Sequence, residues 1–576
     1  QGYNAAGSLL TTTGSAYASY LLGAVGSSGV SQNSISETGG RFKTYAAYIQ
    51  DDFKVSQKLT VNLGLRWDLF SPFYEINNLM SFFDPSAPNA AAGGHAGALA
   101  FASPSKRNPA EAHYKNFGPR VGAAYRIDDK TVLRAGFSVM YAHALGSRSI
   151  GRAGLSQLGF NATNNATSPG NNAPAYYWDN GVPPIAQAPP FIDPTYGTGF
   201  ITSNPTGVQN PVYGDPRLGG KPPYYLNWNF GLQRTITPNT TVGVSYSASM
   251  GKFLNGPGGA GASYNTPSVK YLALGPLLTA TANAANIASA KAIFPEIALP
   301  FSNYVGTIGQ MIRPFPQYGT ISTPMFSVGQ SSYHGMQATL SRRFTKGFTF
   351  SLGYTLSKQM DNLLASTRNP FDYSLEKSRG VTDHRHVFTF TSTYQLPFGK
   401  GRAMNPGNAV ARALVSNWSV SGLVSFQTGA PLSLVGSNCN AGGILGTCIP
   451  SYNPAFTGNV RINGNYGDGN VTGGTPTSYL DRTAFIAPAA YTVGNLPRTG
   501  VYGLNAPFNS SIDMSVRREF VLHEGLKLAF QADAFNINNT VRFGAPATNP
   551  DAASFGTITA QVNKPRAIQL NARITF

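Results

Sequence analysis

Hydrophobic and polar residues alternate one by one along much of this chain. In residues 58–70, KLTVNLGLRWDLF, one face carries Leu59, Val61, Leu63, Leu65, Trp67 and Leu69, while Thr60, Asn62, Gly64, Arg66 and Asp68 take the other. Residues 347–357 set Phe348, Phe350, Leu352, Tyr354 and Leu356 against Thr349, Ser351, Gly353, Thr355 and Ser357. The final stretch sets Ile568, Leu570, Ala572, Ile574 and Phe576 against Gln569, Asn571, Arg573 and Thr575. A period of two predicts strands with one apolar and one polar face. Further strands are expected over 41–55, 117–127, 131–142, 224–236, 240–250, 332–344, 383–396, 416–428, 510–519 and 525–538. That makes roughly thirteen strands, each near the ten residues a tilted strand needs to cross a bilayer.

The connections between these strands alternate in length. Short turns fall at Ser56-Gln57, Asp128-Asp129-Lys130, Thr237-Pro238-Asn239 and Thr345-Lys346, with somewhat longer ones at Pro397–Arg402 and Leu522–Glu524. Between the hairpins run the long segments 71–116, 143–223, 251–331, 361–382, 429–508 and 539–566, rich in Gly, Pro, Asn, Ser and Thr as loops are. Such loops are uncommon in compact soluble domains. Short turns at one end and long loops at the other predict an all-β fold, a transmembrane antiparallel β-barrel of the outer-membrane type. In lipid every backbone amide needs an internal partner, so a spanning sheet has to close. A soluble sandwich or propeller also has half-buried strands, but its turn lengths do not alternate so regularly.

Composition sharpens this picture. By length alone 576 residues would be about four ordinary domains, unless they form one large β-architecture. Only 11% of residues are charged, less than half of the roughly 25% usual in soluble domains. A sheet whose outer face meets hydrocarbon needs little charge. The formal net charge is +18, but the basic residues are scattered without a run or stripe, so no nucleic-acid partner is expected. The two cysteines, Cys439 and Cys448, bracket a short Gly-rich loop. A local disulfide in an oxidising compartment is favoured over two free thiols, and no further ligands stand nearby for a metal. Residues 271–290 are too polar to span as a helix and read as a short Ala-rich helix within a long loop.

Several segments carry a family resemblance. Residues 45–70, YAAYIQDDFKVSQKLTVNLGLRWDLF, resemble a TonB-dependent outer-membrane receptor of the Oar-like group, as do SAYASYLLG (15–23), FGPRVGAAYRIDDKTVLRAGFSVMY (117–141) and DHRHVFTFTSTYQLPFGKG (383–401). The resemblance spans nearly the whole chain. It implies a barrel of about 22 strands around a plug, taking up a scarce extracellular ligand with energy passed by TonB. The implied partners are outer-membrane lipid, the TonB complex, the barrel-assembly machinery and an unidentified extracellular ligand. Phe576, ending an alternating strand, resembles the C-terminal signal read by the barrel-assembly machinery. The chain opens Gln-Gly-Tyr without a signal peptide, plug, TonB box or carboxypeptidase-like domain. Residues 1–40 are therefore expected to be an extracellular loop remnant with a short helix. Residues 41–576 would be the C-terminal barrel portion, about the last thirteen strands, forming an open or incompletely closed curved sheet.

Candidate chemistry is sparse. By the alternation, Asn62, Arg66, Arg134, Asn227, Asn229, Gln531, Asp533 and Arg573 face a lumen, lining the wall or holding a plug. Tyr176, Tyr177 and Trp178, in a long loop, either stack on a ligand or pack that loop on itself. Arg342-Arg343 and Arg517-Arg518 stand beside short turns and read as interfacial snorkelling residues, with phosphate recognition as the lesser alternative. His384 and His386 sit two apart at a strand end, a spacing open to a metal but more often a solvated strand terminus. The GxGxxG match at 256–261 lacks the helix a nucleotide site needs. Residues 463–470 lack the acidic count of a calcium loop. No P-loop, GxSxG or HExxH pattern occurs, so neither catalytic residues nor a cofactor are expected. The rival functions are a surface adhesion or structural protein and a passive porin.

Overall fold

The computed structural model describes residues 2–3, 9–10, 16–33, 37–143, 155–168, 173–181, 189–202, 207–254, 263–323, 327–363, 368, 372–399, 402–437, 439–440, 448–462, 471–472 and 475–576. The GxGxxG run at 256–261 and the segment 463–470 lie outside them.

Thirteen long strands follow the alternating segments. They are β1 (Thr44–Lys54), β2 (Leu59–Phe70), β3 (Phe117–Asp128), β4 (Thr131–Tyr141) and β5 (Tyr224–Thr237). Then come β6 (Thr240–Leu254), β7 (Gly329–Thr345), β8 (Phe348–Asp361) and β9 (His386–Gln395). The last four are β10 (Trp418–Gln427), β11 (Asn509–His523), β12 (Leu526–Phe535) and β13 (Ala567–Thr575). With the short strand Ser378–Arg379 against β8, they make one 14-stranded sheet in sequence order. Every neighbouring pair is antiparallel, β1 beside β2 through to β12 beside β13.

The sheet is open. Among the described residues β1 pairs only with β2 and β13 only with β12. Residues of both edge strands are exposed throughout. This agrees with the expected incompletely closed sheet. No helix among the described residues is long and apolar enough to cross a membrane.

Register carries the polarity of one strand to the next. Asn62 lies opposite Gly122, Gly122 opposite Gly136, Gly136 opposite Asn229, Asn229 opposite Ser247, Ser247 opposite Gly335 and Gly335 opposite Ser357. Eight residues down β8 the row resumes as Thr349–Thr393–Ser421–Ser515–Asp533–Gln569. Because side chains alternate strictly, all these positions share one face. The opposite face is apolar: Leu63–Val121–Phe137–Trp228–Ala248 on the first strands and Leu352–Phe390–Val424–Ile512 on the later ones.

The turns alternate as expected except after β9. Lys346 (φ 49°) and Gly347 (φ 80°) both take positive φ between β7 and β8, the geometry of a tight two-residue hairpin turn. The connection after β9 is longer than Pro397–Arg402, because it includes the helix Ala409–Val415 before β10.

The long segments are not simple loops. They hold nearly all of the buried apolar side chains. One core gathers Leu272, Leu278, Ile297, Phe301, Ile308 and Met311 with Ala92 and Ile201, and beside it pack Phe83, Tyr213, Phe315, Tyr318 and Ile321. A second core joins Leu432, Leu434, Ile449, Leu480, Leu496 and Val501 to Phe555. Residues 271–290 supply an irregular 3-10 stretch, Val269–Thr279, followed by the helix Ala284–Ile293, capped by the Asn283 side chain accepting from Asn286 N. The barrel-like sheet itself has scarcely any core, since its two faces look outward in opposite directions.

Candidate ligand-binding surfaces

Asn62, Arg66, Arg134, Asn227, Asn229, Gln531, Asp533 and Arg573 all stand on the polar face of the sheet. Several are tied into short hydrogen-bond chains. Asn62 Nδ2 donates to Asp52 Oδ1 at 2.5 Å and Arg134 Nη1 to Gln233 Oε1 at 2.7 Å. Arg66 pairs with Asp68 two residues along its own strand at 2.9 Å. Gln531 Nε2 donates to Asp533 Oδ1 at 2.7 Å, and Asn571 Nδ2 to Asp533 Oδ2 at 3.3 Å. Arg573 lies opposite Ala529.

Two of the shallow grooves on this face hold residues of this set. Asn62, Asn227 and Asn229 line one of about 330 Å³ with Gly64, Gly122 and Gly136. The glycines leave the room: a Cβ on Gly136 would stand 3.1 Å from Asn229 Nδ2, and one on Gly122 3.3 Å from Asn62 Oδ1. Asp533 lies in the larger groove, about 660 Å³, with Arg343, Thr349, Thr391, Ser421 and Ser515.

The aromatic residues of the long loop are brought to a different place. Tyr176 and Tyr177 pair with Val25 and Ala24, and Trp178 N donates to Gly23 O at 2.7 Å. Gly23 takes φ 65°, a backbone conformation that side-chain-bearing residues rarely adopt, so the junction suits glycine. It docks the 176–178 segment beside the helix Ala16–Leu21. Tyr17, Tyr20, Leu21, Leu22, Tyr177 and Trp178 are all exposed, Tyr20 at 78% and Trp178 at 66%. An exposed cluster of this kind is the usual sign of a contact surface. Sequence reading found its 176–178 half but not its partner, because the two halves are far apart in the chain.

Sequence reading also missed a buried charge cluster. Arg368 pairs with Glu376 at 3.1 Å, Arg379 with Asp383 at 2.8 Å, and Arg498 with Asp361 at the end of β8. Arg368 also donates to the carbonyls of Gly494 and Leu496, at 2.9 and 2.7 Å. These arginines fasten the 429–508 segment to the connection between β8 and β9. The available signal was scarcity: in loops so poor in charge, each Arg and Asp needs a partner.

His384 and His386 do not act together. His384 Nδ1 is 2.6 Å from Thr428 O, whereas His386 Nδ1 is 2.8 Å from Tyr354 Oη. Among the described residues no three His, Cys, Asp or Glu side chains are grouped to hold a metal. Cys439 and Cys448 are joined in a disulfide with a Cα–Cα distance of 5.4 Å. Phe576 follows β13 and is almost wholly exposed. Arg342 and Arg518 fall on the apolar face and Arg343 and Arg517 on the polar one. Arg518 stacks over Trp418 and Phe520, 5.3 and 4.2 Å from the ring centres.

No curated protein matches this chain. Among solved structures it is similar to the ferripyoverdine receptor of the outer membrane of Pseudomonas aeruginosa, at 10% identity and a TM-score of 0.37, over 94% of this chain and 39% of that one. It is likewise similar to the siderophore receptor PiuA from Acinetobacter baumannii (10% identity, TM-score 0.37, 93% of this chain and 43% of that one). The ferric-catecholate import receptor Fiu from K12 E. coli matches at 10% identity and a TM-score of 0.37, over 94% and 45%. The chain thus spans less than half the length of these structures. A family model described as an outer membrane beta barrel domain matches residues 1–569. With its alternating strands, its apolar outer face and nearly its whole length matched, the chain belongs to the outer membrane beta-barrel domain family of the bacterial outer membrane.

Proposed function

We propose that this chain supplies barrel wall and extracellular loops to a TonB-dependent receptor of the Oar-like group, which takes up a scarce ligand across the outer membrane. The observation that carries the reading is the single polar face running in register from β1 to β13, with the segments 71–116, 143–223, 251–331, 361–382, 429–508 and 539–566 all at one end of the strands. Closed on itself, such a sheet presents that face to a lumen and its apolar face to lipid. Residues 41–576 form the barrel portion, and residues 1–40 belong with the extracellular loops.

In this reading ligand first meets the aromatic cluster of Tyr20, Tyr177 and Trp178, whose rings offer large contact area at little entropic cost. The lumen-facing set, from Asn62 to Arg573, then lines the path or holds a plug that TonB displaces. Phe576 is the residue presented to the barrel-assembly machinery. No bond is broken in such a cycle, so the residues bind and line and do not catalyse. The sequence resemblance of residues 45–70, 117–141 and 383–401 supports the TonB-dependent assignment.

The test is uptake by cells producing the full-length protein, with and without functional TonB. Ligand accumulation that requires TonB supports the proposal. Uptake without TonB, accompanied by ion conductance in planar bilayers, replaces it with a passive porin. Surface adhesion with neither uptake nor conductance replaces it with an adhesin.

A further inference from the structure

The apolar face is not uniformly apolar. Along the outward positions of β5 to β10 no acidic residue occurs. The charged or imidazole side chains on those positions fall at two heights. Arg234 and Arg342 lie near the short turns. At the long-loop ends of four consecutive strands stand Lys252 on β6, His334 on β7, Lys358 on β8 and His386 on β9; Lys252 lies four residues beyond Ala248, the residue opposite His334, and its Nζ donates to Gln330 Oε1 at 2.7 Å. His334 is directly opposite Lys358, and His386 is opposite Leu356 and so diagonal to Lys358.

The height of this second row fits a membrane boundary. From Phe348 to Lys358 the outward residues of β8 run Phe348, Phe350, Leu352, Tyr354, Leu356 and Lys358. At a tilt of about 40° that distance is roughly 26 Å, against an apolar band of about 25 Å. Lys358 is therefore the first charge beyond the hydrocarbon at the long-loop side.

The two histidines are held alike. Tyr246 Oη lies 2.6 Å from His334 Nδ1, and Tyr354 Oη lies 2.8 Å from His386 Nδ1. In each case a tyrosine from the adjacent strand, set deeper in the apolar band, engages Nδ1 and leaves Nε2 as the nitrogen for an outside group. His334, Lys358 and His386 are all exposed, and Lys358 makes no ion pair among the described residues. The row offers several hydrogen-bond donors and positive charge at headgroup depth, with no acidic residue on the same face of β5 to β10 to oppose an anion.

We propose that His334, Lys358 and His386, flanked by Lys252, form a site for the phosphate group of a phosphorylated lipid in the outer leaflet. Basic clusters at headgroup depth attract anionic lipid, and here the strands preset the spacing. The occupant is a membrane lipid and not a soluble anion, because Tyr246, Tyr354 and Leu356 place apolar surface for acyl chains directly below the row.

The experiment places the full-length protein in phosphatidylcholine nanodiscs doped with a diphosphorylated glycolipid or its dephosphorylated counterpart, and counts bound glycolipid by native mass spectrometry. Wild type should hold the phosphorylated form. The triple variant H334Q/K358Q/H386Q should hold about fivefold less or lower still. The variant R518Q, on the opposite rim, should match wild type. Folding of each variant is checked by its heat-modifiable gel mobility, and K358Q alone, expected to show a smaller loss in the same direction, serves should the triple variant fail to fold. Equal binding by wild type and these variants overturns the proposal, as does equal binding of the dephosphorylated lipid. Displacement of the lipid by an equal concentration of inorganic phosphate also overturns it, in favour of a soluble-anion site.

Discussion

Arg498 and Asp361 lie far apart in the chain, yet their side chains form a direct ion pair from which solvent is almost excluded, Arg498 being 1% exposed. Asp361 ends β8, and Arg498 comes from the segment before β11. Arg498 also donates to the Glu376 carbonyl at 3.2 Å and to the Asp361 carbonyl at 3.1 Å. A buried pair of this kind is costly to break, because the remaining charge is stranded. Asp361→Ala should therefore destabilise the attachment of the 429–508 segment by roughly 3–5 kcal/mol. Limited proteolysis should then cut within 429–508 at protease levels that leave wild type intact, while the transmembrane strands stay protected. A double variant replacing both partners with apolar residues should recover much of the loss.

The second prediction concerns the glycines of the polar face. Gly136 stands opposite Asn229, where an added Cβ would come within 3.1 Å of the amide. Gly136→Val should cost about 1–3 kcal/mol through crowding, read from urea unfolding in lipid vesicles. Pairing it with Asn229→Ala should return part of that loss, since the crowded group is gone. Additive losses would show that the glycine serves the backbone and not its neighbour.

Tyr318 provides a pH signature for the first loop core. It is fully buried and its hydroxyl meets Asn89 Nδ2 at 3.2 Å. Burial pushes its phenol up to about 12 from an ordinary value of 10.0, although hydrogen bonds with Thr198 and Asn89 pull the other way. The folded value lies above the unfolded one. Its contribution is therefore complete below pH 10 and is lost as pH rises through 12. Loop packing should loosen across that window, seen as a late phenolate absorbance step coinciding with loss of near-ultraviolet circular dichroism. Burial also raises Tyr213, Tyr304 and Tyr373, so Tyr318→Phe should diminish the late step by one phenol and leave the rest.

The fourth prediction tests the aromatic cluster. Trp178 is 66% exposed, and its segment is docked by Gly23. Trp178→Phe should remove much of the iodide-quenchable tryptophan fluorescence. Gly23→Val should shift what remains in wild-type Trp178, by forcing the junction open. For transport, Trp178→Ala and Tyr20→Ala should each lower TonB-dependent uptake at limiting ligand by roughly tenfold, the scale of a truncated aromatic contact. Unchanged uptake in both would leave the cluster a packing feature only.

The thirteen strands were legible because a strand that separates two media must alternate strictly, and that period is written residue by residue. From Leu59 to Leu69 and from Ile568 to Phe576 no tertiary information is needed to say which side chains share a face. Sparse charge and the regular exchange of short turns for long segments carried the architecture for the same reason: each follows from a sheet between lipid and water. The Cys439–Cys448 pair was readable because the two residues are close in sequence.

What tertiary structure alone decided lies in the long segments. Gly- and Pro-rich composition announces turns, and it hid two apolar cores whose members have no common period, since irregular backbone sets no fixed angle between successive side chains. The meeting of Trp178 with Gly23, the Arg498–Asp361 pair, and the row of His334, Lys358 and His386 depend on which strands and loops become neighbours. Alternation along one strand assigns a residue to a face. Only the register between strands, set by backbone hydrogen bonds over the whole sheet, assigns it a neighbour and a height.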